Sequence, residues 1–476
     1  MTRHHPRGIP TVVIVGGGVS GATVALFLSR FAPGAARIVV VEPRAQIGRG
    51  LAYSTPDPSH RINVPAARMQ LYADDPDHFD RWFTGSELAQ SDPDASLPDG
   101  RHFPSRDAFG RYLGEQTARI AGLSHVRGRA IAITPSAGRY SVSCDNGQSI
   151  DAEIVVLAIC HPPPTIPSAL GGLTDSDALV ANPWQAHALE TIAPDERILI
   201  VGTGLTMADI VATLDRQGHR GTITAISRRG QRAQAHATAP SEPYGDFLNP
   251  PPSTAVGVLR AIRRTLTQAT AAGLSWHPVL DQVRLQGSSI WQALPVAERQ
   301  RLLRHLRPFW DTHRFRLAPQ VHAVLERRRR DGNLVLCAAT IQSVVQSGDG
   351  VSVLLRDRYA KEARAVPVDR IILATGPAHG SLFRDDPLLR HLQHNGLSHP
   401  DIYDLGIAVD SDSRVLGRTG DALRHVFVAG PLARGTFGEL MGVPDVARQA
   451  ERVAAAIAAL PAIGAGYAVN TLIAKP

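Results

Sequence analysis

Two stretches of this chain follow one plan, and that plan restricts the fold more than anything else in the sequence. VVIVGGGVSGA, Val12 to Ala22, and ILIVGTGLTMAD, Ile198 to Asp209, each run from an apolar strand through glycines into the start of a helix. In the first, Gly16, Gly18 and Gly21 are spaced G-x-G-x-x-G. The first glycine permits a tight turn, the second lets a pyrophosphate reach the backbone, and the third lets helix and strand pack closely. The helix start then offers unpaired N–H groups and a partial positive charge to phosphates. Such a fingerprint calls for an acid about 20 residues further on, accepting from ribose hydroxyls. Glu42, in the run VVVEP, stands 21 residues after Gly21. A glycine turn alone is a weak sign; one in register with strand, helix and acid is a strong one.

The second unit keeps Gly202 and Gly204 but has Met207 and Ala208 where the third small residue falls. Its next strand ends not in an acid but in Ser227, Arg228 and Arg229. An acid there would repel a ribose 2′-phosphate, whereas a serine and two guanidinium groups can bind one through charge-assisted hydrogen bonds. This favours NADPH over NADH, with solvated arginines as the plain alternative. Two turns therefore imply two dinucleotides, one held and one exchanging. The strands EIVVLAI and RIILATG have the form expected where a chain leaves and re-enters an FAD domain around an inserted NAD(P)H domain. Late in the chain, HVFVAGPLARGTFGE sets Gly430 at a strand end before a final helix, whose N-terminus could stabilise negative charge on a reduced flavin.

The expected fold class is α/β: two Rossmann-like dinucleotide-binding domains, the FAD domain split around the NAD(P)H domain, with a helical insertion. The expected bounds are 1–165 for the first FAD part and 336–476 for the second. The NAD(P)H domain takes 166–335, with helix-like, Arg- and Trp-rich periodicity over 233–330. A chain of 476 residues has room for two or three domains of about 100–200 residues.

The three cysteines, Cys144, Cys160 and Cys337, lie far apart with no CxxC. That spacing argues against a disulfide framework, a zinc site or a redox dithiol, and for a reducing, cytoplasmic compartment. The opening MTRHHPRGIP carries no apolar core of a signal peptide. The Ala- and Gly-rich run VAAAIAALPAIGAGYAV falls short of a membrane span, so a last helix and tail are expected. A net charge of +7 raises nucleic acid as a partner, but the arginines scatter through helical segments and no nucleic-acid-binding motif stands beside them. ERRRRDG, Glu326 to Gly332, reads as a basic helix end and a turn. A basic cleft drawing in anionic small molecules suits the composition better.

With these features the chain resembles the two-dinucleotide-binding flavoproteins, and within them a bacterial branch related to N-hydroxylating flavin monooxygenases and FAD-dependent urate hydroxylase. The resemblance rests on VVIVGGGVSGA, IGRGLAYSTPDPSHRINVPAARM, FPSRDAFGRYL, ILIVGTGLTMADIV, AISRRG and VFVAGPLARGTFGELMGVPDVARQA, and on the helical block IWQALPVAERQRLLRHLRPFWDTHRFRLAP. It implies FAD reduced by NADPH or NADH, capture of O2 as a flavin C4a-hydroperoxide, and hydroxylation of a small polar or anionic metabolite, a urate-type heterocycle being one candidate. A reductase passing electrons to a partner protein and a flavin-binding sensor without turnover are the alternatives; self-association is left open. The sequence departs from common flavoprotein patterns at Cys160 and His161, which follow LAI, and at Pro431, which stands where many such chains have an aspartate after the glycine. The missing CxxC excludes the disulfide reductases of this architecture.

Catalytic candidates are Asn63, Arg106 and Glu439. The Asn63 amide, in a loop reaching toward the flavin, either bonds flavin or substrate or holds a turn. Arg106 either places a charge near the flavin or follows a Ser105 helix cap. Glu439 precedes the final helix and could face the pocket. His60 and His161 are the acid–base alternatives, although among 19 histidines a structural role is the more common one. The block from Ile290 to His322 is expected to form a helical lid or interface, or to line the pocket.

Overall fold

The computed structural model describes residues 9–159, 162–185, 187–347, 350–360 and 362–464. The continuous Val/Ile runs become strands covered on both faces, as parallel sheets require. In the first sheet Val12, Ile14, Ile38, Val40, Ile154 and Val156 enter one apolar cluster with the helix Val19–Phe31 and the final helix Val443–Ala458. Their neighbours Val13, Val15, Val39, Val41, Val155 and Leu157 face the other way, into a cluster with Leu388, Leu389 and Leu392. The period of two thus splits each run between two cores.

The first sheet runs, in spatial order, Arg414–Leu416, Ala422–Val428, Ile154–Leu157, Thr11–Val15, Arg37–Val41 and Ser124–Val126. Only the Arg414–Leu416 edge is antiparallel. The second sheet runs Ala363–Val368, Gly350–Asp357, Leu334–Ser347, Ile223–Ser227, Ile198–Val201, Arg370–Leu373 and Leu179–Val180. A small antiparallel sheet, Ala130–Ser136, Arg139–Cys144 and Ser149–Ala152, lies outside both. Between the second-unit strands, six helices fill the chain from Ala255 to Arg330.

The order of strands corrects the expected domain return. Leu334–Ser347 through Arg370–Leu373 all pair within the second sheet, so the chain rejoins the first sheet well after residue 336, at Arg414–Leu416 and Ala422–Val428. EIVVLAI and RIILATG look alike for a different reason than exit and re-entry. Each is the third parallel strand of its own dinucleotide unit, hydrogen-bonded beside the strand that leads into the glycine turn.

Gly430 also sits differently from expectation. A 3-10 turn, Pro431–Ala433, and a short helix, Arg434–Phe437, follow it, and the final helix starts only at Val443 with Gly442 as its cap. Gln449 of that helix closes the gap: its Oε1 accepts from the Gly430 N–H at 2.8 Å and its Nε2 donates to Val428 O and Ser413 Oγ. The final helix is thereby pinned to the strand end that Gly430 terminates.

Candidate functional site

Both glycine turns are built the same way. Gly16 has φ +101°, and a Cβ there would lie 2.3 Å from Ala158 O; Gly202 has φ +122°, and a Cβ there would lie 2.1 Å from Ala374 O. In each unit the first glycine touches the carbonyl at the end of the third strand, a distance no side chain permits. Gly21 is held as tightly, since its Cβ would stand 1.9 Å from Gly16 O. In the second unit Ala208, buried in the helix Leu205–Arg216, occupies the corresponding stretch.

The helix starts that follow the glycine turns are open. The helices Val19–Phe31 and Leu205–Arg216 start at Gly18 and Gly204, with no side-chain cap and no acid in the first turn. Gly18 faces Gly50 (φ +54°), so two residues without side chains flank the first helix start, and nothing lies within 4 Å of a Cβ at Gly204. Gly430 closes on the same helix start, where a Cβ would meet Ser20 Oγ at 2.1 Å. Glu42 is buried at the end of its strand; its Oε2 accepts from Gly17 N at 2.8 Å and its Oε1 from Arg44 N at 3.0 Å. Carboxylate oxygens keep further lone pairs for ribose hydroxyls. These residues fit an ADP moiety.

At the second strand end, Ser227 Oγ accepts from Gly230 N at 3.0 Å and from Thr203 Oγ1 at 2.9 Å, so the hydroxyl helps form the turn. Arg228 is exposed, and the Arg229 guanidinium lies 5.7 Å from the Phe309 ring centroid.

Arg106 is engaged by protein groups. Its Nη2 pairs with the buried Asp209 at 2.7 Å and its Nε donates to Arg61 O, while Ser105 caps the helix Arg106–Ala118. Asp209 belongs to the second-unit helix, so the pair ties the two units together. His60 does the same, between Thr55 Oγ1 at 2.7 Å and Thr213 Oγ1 at 2.9 Å, and burial lowers its pKa. Breaking a buried pair by removing one partner costs about 3–5 kcal/mol. Arg106→Ala is therefore expected to lower unfolding free energy by about 3 kcal/mol, read by denaturant titration, with Arg106→Met/Asp209→Leu restoring much of it. Unchanged stability in the single variant would return Arg106 to the catalytic candidates.

A small pocket of about 10 Å³ forms where three parts of the chain meet. Val64 and Arg68 enter from the first-unit loop, His236 from the segment after the second glycine unit, Arg284 from the helix His277–Leu285, and Arg314 and Arg316 from either side of the last turn before Pro319–Arg330. Asn63 adjoins it through its backbone: His236 Nε2 donates to Asn63 O at 3.0 Å. The Asn63 side chain has no hydrogen bond among the described residues. Glu439 accepts from Arg314 at 2.8 and 3.0 Å, so it anchors an arginine of the pocket. Arg316 and Arg68 both bind Asp281, at 2.7 and 3.0 Å. Burial pushes the Asp281 carboxyl up, but the two guanidinium groups outweigh it and hold the pKa below the usual range.

A carbonyl partner means that His236 Nε2 carries the proton and Nδ1 is left as an acceptor. Burial lowers the His236 pKa to about 3. The unfolded imidazole, with a pKa near 6.5, binds a proton that the folded one refuses, so this residue's contribution is complete above pH ~6.5 and is lost as pH falls toward 3. In that window stability is expected to fall by up to about 1.4 kcal/mol per pH unit more in the native chain than in His236→Asn. Parallel stability–pH profiles would refute the burial of a neutral imidazole.

Sequence reading found the glycine turns but missed Arg68, which lies within a familial block without being singled out, and His236 and Arg284, which lie in segments with no motif. Arg314 and Arg316 fall within the block from Ile290 to His322, expected as a helical lid or interface or as pocket lining. Cys160 and His161 lie outside the described residues. No helix among the described residues is long and apolar enough to cross a membrane.

The family described as FAD-NAD(P)-binding matches residues 13–162, and that of L-lysine 6-monooxygenase/L-ornithine 5-monooxygenase matches residues 97–242. No curated protein matches. Among solved structures, ornithine hydroxylase (PvdA) from Pseudomonas aeruginosa is 17% identical with a TM-score of 0.63, over 94% of this chain and 99% of that one. L-lysine 6-monooxygenase from Pseudomonas syringae is 18% identical with a TM-score of 0.63 over the same shares. DfoA, the cadaverine monooxygenase from Erwinia amylovora, is 14% identical with a TM-score of 0.64 over 99% and 98%. The matches bear out the two-dinucleotide fold, and FAD and NAD(P) binding is the description of the family that matches residues 13–162.

Proposed function

From a chain with the fold and family matches of the flavin-dependent monooxygenases, we infer that this protein uses NADPH and O2 to hydroxylate a small polar or anionic molecule. The observation that carries the reading is the pair of glycine turns, one in each unit, whose first glycines make the same close approach to the carbonyl at the end of the third strand. Overall, substrate, O2, NADPH and a proton give hydroxylated substrate, NADP+ and water. FAD, when bound, supplies the two-electron exchange with NADPH and the activation of O2.

The chain's own residues bind, orient and exclude water. Gly16, Gly18, Gly21 and Glu42 would hold the ADP half of FAD, with Gly430 closing over the helix start. Gly202 and Gly204 would receive the NADPH pyrophosphate, and Arg228 with Arg229 its 2′-phosphate. The ties between Arg106 and Asp209 and between His60 and Thr213 fix one turn relative to the other, which hydride transfer between two dinucleotides requires. Asn63 stands as a candidate donor or acceptor at the pocket edge; Glu439 acts on Arg314 rather than on a ligand directly.

The named substrates of the similar structures are amines, so the urate-type heterocycle has no counterpart among them. The test is coupling. With a true substrate, NADPH consumed should equal product hydroxylated. NADPH oxidation that yields only hydrogen peroxide across a broad metabolite screen, or that transfers electrons efficiently to a protein acceptor, would overturn the oxygenase reading.

A further inference from the structure

The strand Ile223–Ser227 ends where a distant part of the chain returns. Its neighbour, Leu334–Ser347, runs parallel to it and sets Ala338 beside Ser227. That strand continues past this level, and the chain comes back through Gly350–Asp357, antiparallel, with Asp357 opposite Ala339. The return delivers Arg358 to the level of Ser227 but two strands away, which is about 10 Å at a spacing of about 4.8 Å. An arginine side chain spans most of that gap. The Arg358 backbone N–H donates to Ala338 O at 2.7 Å, and its Nη1 donates to Arg228 O at 2.9 Å.

Three guanidinium groups therefore share one strand end, and no carboxylate answers them. Among the described residues Arg228, Arg229 and Arg358 form no ion pair, whereas Arg364, close by on the next strand, takes Asp357 at 2.9 Å. Arg228 and Arg358 are exposed, so the space in front of them is open. Of its five N–H donors Arg358 spends one on Arg228 O and keeps four. It also lies 5.7 Å from the ring centroid of Tyr359, its own chain neighbour, a contact that ties it to no other element. Fastening a second cation to the backbone of Arg228 costs Coulomb energy unless an anion sits between the two. A phosphate monoester carries about 1.5 to 2 negative charges at neutral pH. With Arg229 turned onto Phe309, Arg228 alone would leave much of that charge unmatched.

We propose that Arg358 is a specificity determinant for the nucleotide: from the returning strand it supplies a second guanidinium, beside Arg228, to the 2′-phosphate of NADPH. Two guanidinium groups from different elements can hold a phosphate dianion from two sides through charge-assisted hydrogen bonds. The proposal rests on the reading of Ser227 to Arg229 as the strand end that receives the 2′-phosphate.

Calorimetric titration of the FAD-loaded protein with adenosine 2′,5′-bisphosphate and adenosine 5′-monophosphate, which differ only in the 2′-phosphate, tests it without turnover. The native chain is expected to bind the bisphosphate at least about tenfold more tightly. Arg358→Gln should lose at least about fivefold in bisphosphate affinity and less than about twofold in monophosphate affinity. Arg358→Lys should recover part of the loss. The bisphosphate preference should also fall more steeply with added salt in the native chain than in Arg358→Gln. Arg356→Gln, which removes an exposed charge further back on the same strand, should change neither affinity. Unchanged bisphosphate affinity in Arg358→Gln overturns the proposal. An equal loss for the two nucleotides does so too, since Arg358 would then act only by holding the Arg228 backbone. So does an equal loss in Arg356→Gln, which would assign the effect to general surface charge. If the native chain binds both nucleotides alike, the 2′-phosphate reading of the strand end fails and takes the role of Arg358 with it. If a strong native preference survives Arg358→Gln, only the role of Arg358 fails.

Discussion

Gly16→Ala protein is expected to emerge from purification without flavin colour, whereas Gly202→Ala protein is expected to stay yellow and to lose its reduction by NADPH. Each glycine has positive φ, where a side chain costs about 1–2 kcal/mol. Each would also drive a Cβ to within 2.3 Å or 2.1 Å of a backbone carbonyl, Ala158 O or Ala374 O. Those carbonyls cannot retreat easily, because Ala158 N and Ala374 N are bonded to Val15 O and Val201 O at the base of each turn. A total near 3 kcal/mol would weaken each cofactor about 100-fold. Flavin absorbance per protein and the rate of anaerobic reduction by NADPH read the two outcomes, and circular dichroism separates cofactor loss from unfolding. Stoichiometric flavin in Gly16→Ala, or identical behaviour of the two variants, would show that the turns do not hold two different dinucleotides.

The fold was largely legible because its main signals are local. A glycine spacing, a continuous Val/Ile run and an acid 21 residues on are all properties of short segments, and Glu42 indeed lies buried beside Gly17. What misled was the same local resemblance carried too far. RIILATG reads as a return to the first sheet, yet a buried parallel strand reads alike in either sheet, and only pairing to Ile198–Val201 decides its place. The pocket was scarcely legible. Arg284, in DQVRLQG, has the spacing of an ordinary helix-surface arginine, and His236, in QAHATAP, lies in a segment with no period at all. Their meaning arises from the meeting of parts 125 and 173 residues apart, Arg314 with Glu439 and Asn63 with His236. Arg106 illustrates the converse: a charged residue in a familial motif reads as catalytic, although its partner Asp209 stands on the helix that follows the other glycine turn.

Removing both guanidinium groups at the second strand end, in Arg228→Ala/Arg229→Ala, is expected to weaken NADPH by about 10- to 100-fold and NADH by less than about threefold. The range follows from about 1.5–3 kcal/mol for hydrogen bonds to a charged group. The two residues should not contribute equally. Arg228 is exposed, and its carbonyl accepts from Arg358 Nη1 at 2.9 Å, which fixes its backbone while leaving the side chain to reach outward. Arg229 already lies over Phe309 of the helical insertion, so reaching a phosphate means giving up a cation–π contact of about 0.5–1 kcal/mol. Arg228→Ala alone should therefore account for most of the double variant's loss. Ser227, whose hydroxyl is occupied by Gly230 N and Thr203, should matter chiefly to the turn, so Ser227→Ala should weaken both nucleotides alike. Dissociation constants for NADP+ and NAD+ on the oxidised protein decide the matter without turnover. Equal losses for the two nucleotides in the arginine variants would remove the 2′-phosphate from this strand end and, with it, the expectation that NADPH is the preferred reductant.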